Sequence, residues 1–414
     1  RTAINALGNF PVPAAKEALM AASADGQPAD VRSYAVLSLA KHHRDMAVPL
    51  IAAYASGITG AEQGRDFWQK ALSSKGISKQ LAAVIAEKKF SPETAIASLQ
   101  HIPDVAEHDA LLKVLREQAG SAQKVYDDAT IKKMAAQAAE KGDAARGEMV
   151  YRRPALACTA CHAIGGAGGK VGPDLTSIGA SAPMDYLIES VVNPGAKVKE
   201  GYHSVIIETK DGKAIMGQLI RSGGSGLTVR DGAGQEIVIP ESNVAKKTDA
   251  GSLMPGNLIA GLPGGDVNDL FKFLSQLGKP GDYDATKRRA PKVWAVLGLT
   301  TDLQEKASAG DPSLAWSPIS ATVNGRLLPD DVNAVATNSG EIMAGTKLQL
   351  SEAKKIQLTF ADGFKPTDIW INGKSVPSGS AELQPGIHKI VVRAPKSGKG
   401  MRMTCDSGTF LPEW

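Results

Sequence analysis

Cys158-Thr159-Ala160-Cys161-His162 is the stretch on which the reading of this 414-residue chain turns. C-x-x-C-H is the attachment pattern for c-type haem. Thiols at i and i+3 share one face of a helical turn, where each can add to one haem vinyl group. His162 comes next and supplies an imidazole nitrogen to the iron, whose other axial ligand is commonly a Met sulfur from elsewhere. A bare C-x-x-C also reads as a redox disulfide or half a zinc site. Zinc needs a second ligand pair, and none follows. A thioredoxin-like site wants a strand-to-helix setting, not the run Gly165-Gly166-Ala167-Gly168-Gly169. The expected cofactor is one covalently bound haem c, on Cys158, Cys161 and His162.

Working outward, Gly142-Asp143-Ala144-Ala145-Arg146-Gly147-Glu148-Met149-Val150-Tyr151 precedes the pentapeptide and Val171-Gly172-Pro173-Asp174-Leu175 follows it. Together these resemble a class I cytochrome c. In that family a Gly and an aromatic four apart on the first helix meet an aromatic on the last. Gly147 and Tyr151 have that spacing, and Phe271, Phe273 or Leu274 of Val267–Leu277 would meet them. The resemblance implies that the Pro173 carbonyl accepts the proton on the far nitrogen of His162, which fixes its tautomer and makes it a better donor. It also implies a central helix at Met184–Val192, stopped by Asn193-Pro194-Gly195. Gly251-Ser252-Leu253-Met254-Pro255-Gly256 stands where the family places its sulfur ligand. Met254 is therefore the implied sixth ligand and, with His162, the metal-ligand pair. Met216 and His203 are rivals for that position.

Between these parts the period changes. Tyr202–Thr209, Ala214–Arg221, Gly226–Arg230 and Glu236–Pro240 read as short strands separated by Gly-rich turns. They form a β insertion at about residues 201–248, whose role stays open between covering a haem edge, shaping a docking face and decoration. Residues 1–125 carry apolar residues at helical spacing, as in 31–40 and 81–86. Helix starts are marked at Pro13, Ser91-Pro92-Glu93 and Pro103-Asp104. Short segments with short joints suggest stacked helix pairs of HEAT type, with a plain bundle as the competing reading. His42, His43, His101 and His108 are read as surface or capping residues.

A polar linker at 281–291 leads to a last domain, 292–414. Strand signals dominate there at 347–350, 355–360, 368–371, 374–376 and 388–393, with Asn372-Gly373 as a hairpin turn. This predicts a β-sandwich or jelly roll. Trp294, Trp316, Trp370 and Trp414 read first as packing and second as a sugar-binding platform. The predicted class is multidomain α+β: a HEAT-like helical domain at 1–125, a class I cytochrome c-like domain at 126–280, the linker, and the sandwich.

Lys and Arg number 47 against 43 Asp and Glu, a net charge of +4. The basic residues form no dense block, which argues against nucleic acid as a partner. No apolar run is long enough to cross a bilayer. The chain opens already in helix, so the natural N-terminus is expected to precede Arg1. Cys405, in Met401–Cys405, is expected to be a buried, inert thiol. No paired carboxylates or Ser-His-Asp set have defensible spacing, and no Asp or Glu is assigned a catalytic role.

Residues 142–278 resemble more closely the haem-binding C-x-x-C-H module of planctomycete and verrucomicrobial type. The matches are Cys158–His162, Gly172-Pro173-Asp174-Leu175, Asp211-Gly212-Lys213, and Ser252-Leu253-Met254-Pro255 before Asp269-Leu270. In that family the module often ends a large exported protein, after a sugar-dehydrogenase-like propeller and HEAT-like helices. The resemblance implies an electron-transfer cytochrome in the periplasm or at the outer surface. Its partners would be an upstream dehydrogenase domain or subunit and a downstream electron acceptor, and a carbohydrate is a further candidate. The chain is not expected to be an enzyme by itself. The rivals are a haem enzyme, a sensor with an exchangeable sixth ligand, and a carbohydrate-binding scaffold.

Overall fold

The computed structural model describes residues 2–58, 61–102, 106–120, 126–224, 226–256, 258–287, 289–300, 303–337, 339–396 and 400–414. The helix start expected at Pro103-Asp104 lies outside them. The fold is mixed α and β, with several antiparallel sheets. It divides into two compact units that do not follow chain order. One comprises residues 1–162, 169–173 and 183–272; the other comprises 163–168, 174–182 and 273–414.

The first unit opens with the helices Thr2–Leu7, Pro13–Ser23, Ala29–Leu39, Arg44–Ala55, Ala61–Ala71, Ile77–Lys88, Pro92–Leu99 and Asp109–Ala119. Pro13 and Pro92 occupy first-turn positions, where a missing N–H costs nothing. Ser91 caps the second of these helices, its Oγ accepting from the Thr94 N–H at 3.2 Å. Some neighbouring helices pack, as Pro13–Ser23 on Ala29–Leu39 and Pro92–Leu99 on Asp109–Ala119, and so do helices two apart: Thr2–Leu7 on Ala29–Leu39, Arg44–Ala55 on Ile77–Lys88, and Ile77–Lys88 on Asp109–Ala119. One continuous core results, with Leu39, Ile51, Phe67, Trp68, Leu81 and Ile85 fully buried. Each such large side chain contributes about 1.5–3 kcal/mol. His42 is exposed, whereas His43 and His101 are half-buried. His108 departs from its surface or capping assignment. It is 5 % exposed and makes no side-chain cap, because the turn Ala106–His108 is pressed against Ile77–Lys88.

Further along the same unit run the helices Asp128–Lys141, Ala144–Tyr151 and Met184–Val192. The inserted strands form a five-stranded antiparallel sheet. Ser204–Thr209 lies between Ala214–Gly223 and Val244–Gly251; Gly226–Arg230 and then Glu236–Pro240 extend it to the far edge. Val244–Gly251 is a strand that the sequence pattern does not announce. One face of the sheet packs Val205, Ile207, Val229 and Ile239 together.

In the second unit, two antiparallel sheets share one core. Seven strands make the larger: Lys374–Ser375, Asp368–Ile371, Gly386–Pro395, Glu341–Leu350, Val293–Gly298 and Ser317–Ser320 in spatial order, with Thr409–Phe410 also paired to Glu341–Leu350. The smaller orders Arg326–Leu327, Met401–Cys405, Lys354–Phe360 and Ser380–Leu383. Trp294, Leu348, Ile356, Ile390 and Met403 fill the space they share. Cys405 is buried there, and burial raises its thiol above the ordinary range. On the opposite face of the large sheet, Trp316, Trp370 and Trp414 pack over Met343 and Val391. The Trp316 and Trp414 rings meet at 55° with centroids 5.1 Å apart, so they do not form one flat face.

Candidate functional site

The site is built where the helix Ala144–Tyr151 ends. Asp143 caps that helix, its carboxylate accepting from the Arg146 N–H at 2.8 Å. Arg146 in turn holds Asp269 of the helix Gly264–Gln276 through Nε at 2.7 Å and Nη2 at 3.0 Å, and Asp269 also accepts from the Asp143 N–H at 2.6 Å. The Arg146 guanidinium keeps the Asp269 carboxyl below its usual range. Sequence reasoning places Asp269 beside Leu270 in a motif but misses its partner, because 123 residues separate the pair and neither position carries a periodic signal.

A short turn, Pro154–Leu156, and Ala157 at φ 54° then set up a single helical turn, Cys158–Cys161. His162 leaves that turn in extended backbone, and its N–H donates to the Cys158 carbonyl at 2.9 Å. Cys158 and Cys161, three apart on one turn, lie on one face. Desolvation pushes the Cys158 thiol up to about 12. Among the described residues no group of three or more His, Cys, Asp or Glu side chains is arranged to hold a metal ion. That bears on the zinc reading, in which the cysteine pair would need further such ligands.

The Gly-rich loop closes on this turn through its backbone. Gly169 N–H donates to the Thr159 carbonyl at 3.0 Å and Gly172 N–H to the Cys161 carbonyl at 2.8 Å. Neither approach leaves room for a side chain. A Cβ on Gly169 would sit 1.8 Å from the Ala160 oxygen, and one on Gly172 would sit 2.5 Å from His162 Cε1. The imidazole therefore lies directly on Gly172. His162 Nδ1 is 2.7 Å from the Pro173 oxygen. A carbonyl can only accept, so Nδ1 carries the proton and Nε2 is the lone-pair nitrogen.

The structure thus brings Cys158, Cys161, His162 and Pro173 together. Met254 is half-buried in the turn after Val244–Gly251, its N–H donating to Ser252 Oγ at 3.1 Å. Of its rivals, His203 is exposed and Met216 packs with Ile206, Ala214 and Ala250 on the inserted sheet. Gly147 and Tyr151 are buried on their helix, and Phe271 is fully buried. Phe273 stacks edge-on against Tyr283, with centroids 5.5 Å apart. The donor set fits a covalently tethered haem: two thiols on one face, an imidazole of fixed tautomer beside them, and glycine where the ring needs clearance.

Comparison with protein-family models and with curated proteins finds no match. Among the described residues no helix is long and apolar enough to cross a membrane.

Proposed function

We propose that this chain is an electron-transfer c-type cytochrome, the electron-accepting module of a larger exported dehydrogenase or of its complex. The observation that carries the proposal is the 2.7 Å contact between His162 Nδ1 and the Pro173 carbonyl, immediately after two thiols on one helical turn. That contact gives the imidazole the tautomer and the basicity of an axial ligand. Haem, when bound, supplies a one-electron ferric–ferrous couple whose potential a Met ligand raises. Cys158 and Cys161 would hold it by thioether links, and His162 and Met254 would supply its nitrogen and sulfur ligands. A haem ligated only by side chains of the protein would leave no place for substrate, which suits transfer rather than catalysis.

The finer architecture belongs to the same proposal. Packing between helices two apart supports a HEAT-like array. The cap at Asp143, the attachment turn and the Asp269 pairing support a class I cytochrome c-like core with an inserted meander. Two sheets around one core support a C-terminal β-sandwich. The redox partners are then an upstream dehydrogenase domain or subunit and a downstream acceptor, outside the cytoplasm.

Absorption spectra of the exported, purified protein in both oxidation states test this. The expected result is a low-spin haem that resists extraction under denaturing conditions, with a weak Met-to-ferric-iron band and no change on adding carbon monoxide. A colourless protein, a high-spin spectrum or rapid carbon monoxide binding would overturn it.

A further inference from the structure

The inserted sheet touches the loop on which His162 rests and the loop that carries Met254, and it does so toward the two ends of one cross-strand row. The row runs Glu236, Arg230, Gln218, Ser204, Gly251, each residue directly opposite the next on the neighbouring strand. At one end Arg230 Nη1 donates to the Lys170 carbonyl at 3.3 Å, while Nη2 is held by Glu236 Oε1 at 2.6 Å. A Cβ on Gly234, in the turn after Arg230, would be in ordinary contact with Val171 at 3.6 Å. Lys170 and Val171 lead straight into Gly172-Pro173, on which the His162 ring rests. At the other end Ser204, fully buried, donates from Oγ to the Gly251 carbonyl at 3.0 Å. Gly251 leads straight into Ser252-Leu253-Met254. Gln218, between them, is 8 % exposed and donates to the Gly201 carbonyl at 2.5 Å.

We propose that this row is a positioning device for the two axial ligands, with Arg230 bracing the loop under His162 and Ser204 bracing the loop that carries Met254. The proposal rests on the haem assignment above. Its physical content is separate: two loops keep a fixed spacing when both are bonded to one hydrogen-bonded sheet. An electron carrier gains from that spacing, because neither axial bond need be remade when the iron changes charge.

The two ends make different predictions. Arg230→Ala should weaken the hold on Pro173 and with it the Nδ1–H bond, leaving His162 a poorer donor. The ferric–ferrous equilibrium should then move about threefold toward ferrous with the Met band intact. Arg230→Lys keeps a cationic donor and should restore the parent value. Ser204→Ala should instead diminish the Met band and admit carbon monoxide. Amide exchange, which needs no haem signal, should rise in residues 169–173 for Arg230→Ala and in residues 251–256 for Ser204→Ala. Unchanged exchange and potential in a haem-loaded, folded Arg230→Ala protein would overturn the positioning role and leave the haem assignment standing. Equal shifts in the Ala and Lys variants would overturn it too, since they would report loss of sheet packing rather than of a donor. If the protein carries no haem, the assignment fails, and the exchange data alone decide whether the row braces the loops. Should Arg230→Ala not fold, Arg230→Gln takes its place under the same criteria.

Discussion

Gly169 and Gly172 set how closely a loop can approach the attachment turn, and that distance decides whether His162 is held or merely nearby. At Gly169 the clash for a Cβ would be with the backbone oxygen of Ala160, which cannot rotate away. Gly169→Ala should therefore cost roughly 2–3 kcal/mol by overpacking. Gly195→Ala is the matched control: its Cβ would meet nothing within 4 Å, so the change should stay within about 0.5 kcal/mol. Urea unfolding of both variants beside the parent measures the difference, and similar midpoints would refute the close packing. The pentapeptide, the Gly-Pro turn and Met254 stand out in the sequence because each is a rare combination at a rare spacing. The roles of Gly169 and Arg146 do not, since each depends on what a distant residue brings to it. One glycine among the four of residues 165–169 cannot be told from its neighbours.

Elements show the same division. Met184–Val192, Gly226–Arg230, Glu236–Pro240 and Asp368–Ile371 have the bounds that their patterns suggest. Val244–Gly251 escapes notice because it is an edge strand, where Lys246, Lys247 and Asp249 face water and no alternation is needed. Only the last four residues of Glu341–Leu350 read as strand. Gly345 within it looks like a breaker, yet it is the position over which the Trp414 ring lies. His108 is the clearest miss. Polar neighbours Glu107 and Asp109 hide a side chain that helix packing buries, and burial lowers its pKa to about 4. The unfolded chain takes up this proton near pH 6.5, whereas the folded chain does so only near 4, so acidification across that window favours unfolding. Stability should fall by up to about 3 kcal/mol between those limits. His108→Gln should flatten that part of the profile. Thermal melts at pH 7, 5.5 and 4 would measure it, and parallel profiles for parent and variant would contradict burial of a neutral imidazole.

At the scale of the molecule, the second unit gathers residues from three places in the chain, and this makes its C-terminal sheets more than an appendage. Within it, the segment that follows His162 is seated on what comes last. Gly165 donates its N–H to Thr176 Oγ1 at 2.8 Å, and a Cβ on it would come within 3.2 Å of Lys292 Cε and 3.1 Å of Ala285 Cβ. Lys292 is only 6 % exposed, and its ammonium group donates to the Val323 carbonyl in the turn between Ser317–Ser320 and Arg326–Leu327. A buried lysine pays its desolvation only where such acceptors are fixed, so it ties the short antiparallel pair Ala163–Ile164 and Ala167–Gly168 to the fold of residues 293–414. Ending the chain at Pro291 would remove Lys292 and its part of the surface behind Gly165, while leaving Ala285, the pentapeptide, the Gly-Pro turn and Met254 in the chain. Amide exchange in residues 163–168 should then rise at least about tenfold over the full-length chain, while the helices of residues 29–88 keep their protection. Unchanged exchange at 163–168 in the shortened chain would mean that this segment stands without the sheets, and that Lys292 merely fills space beside it.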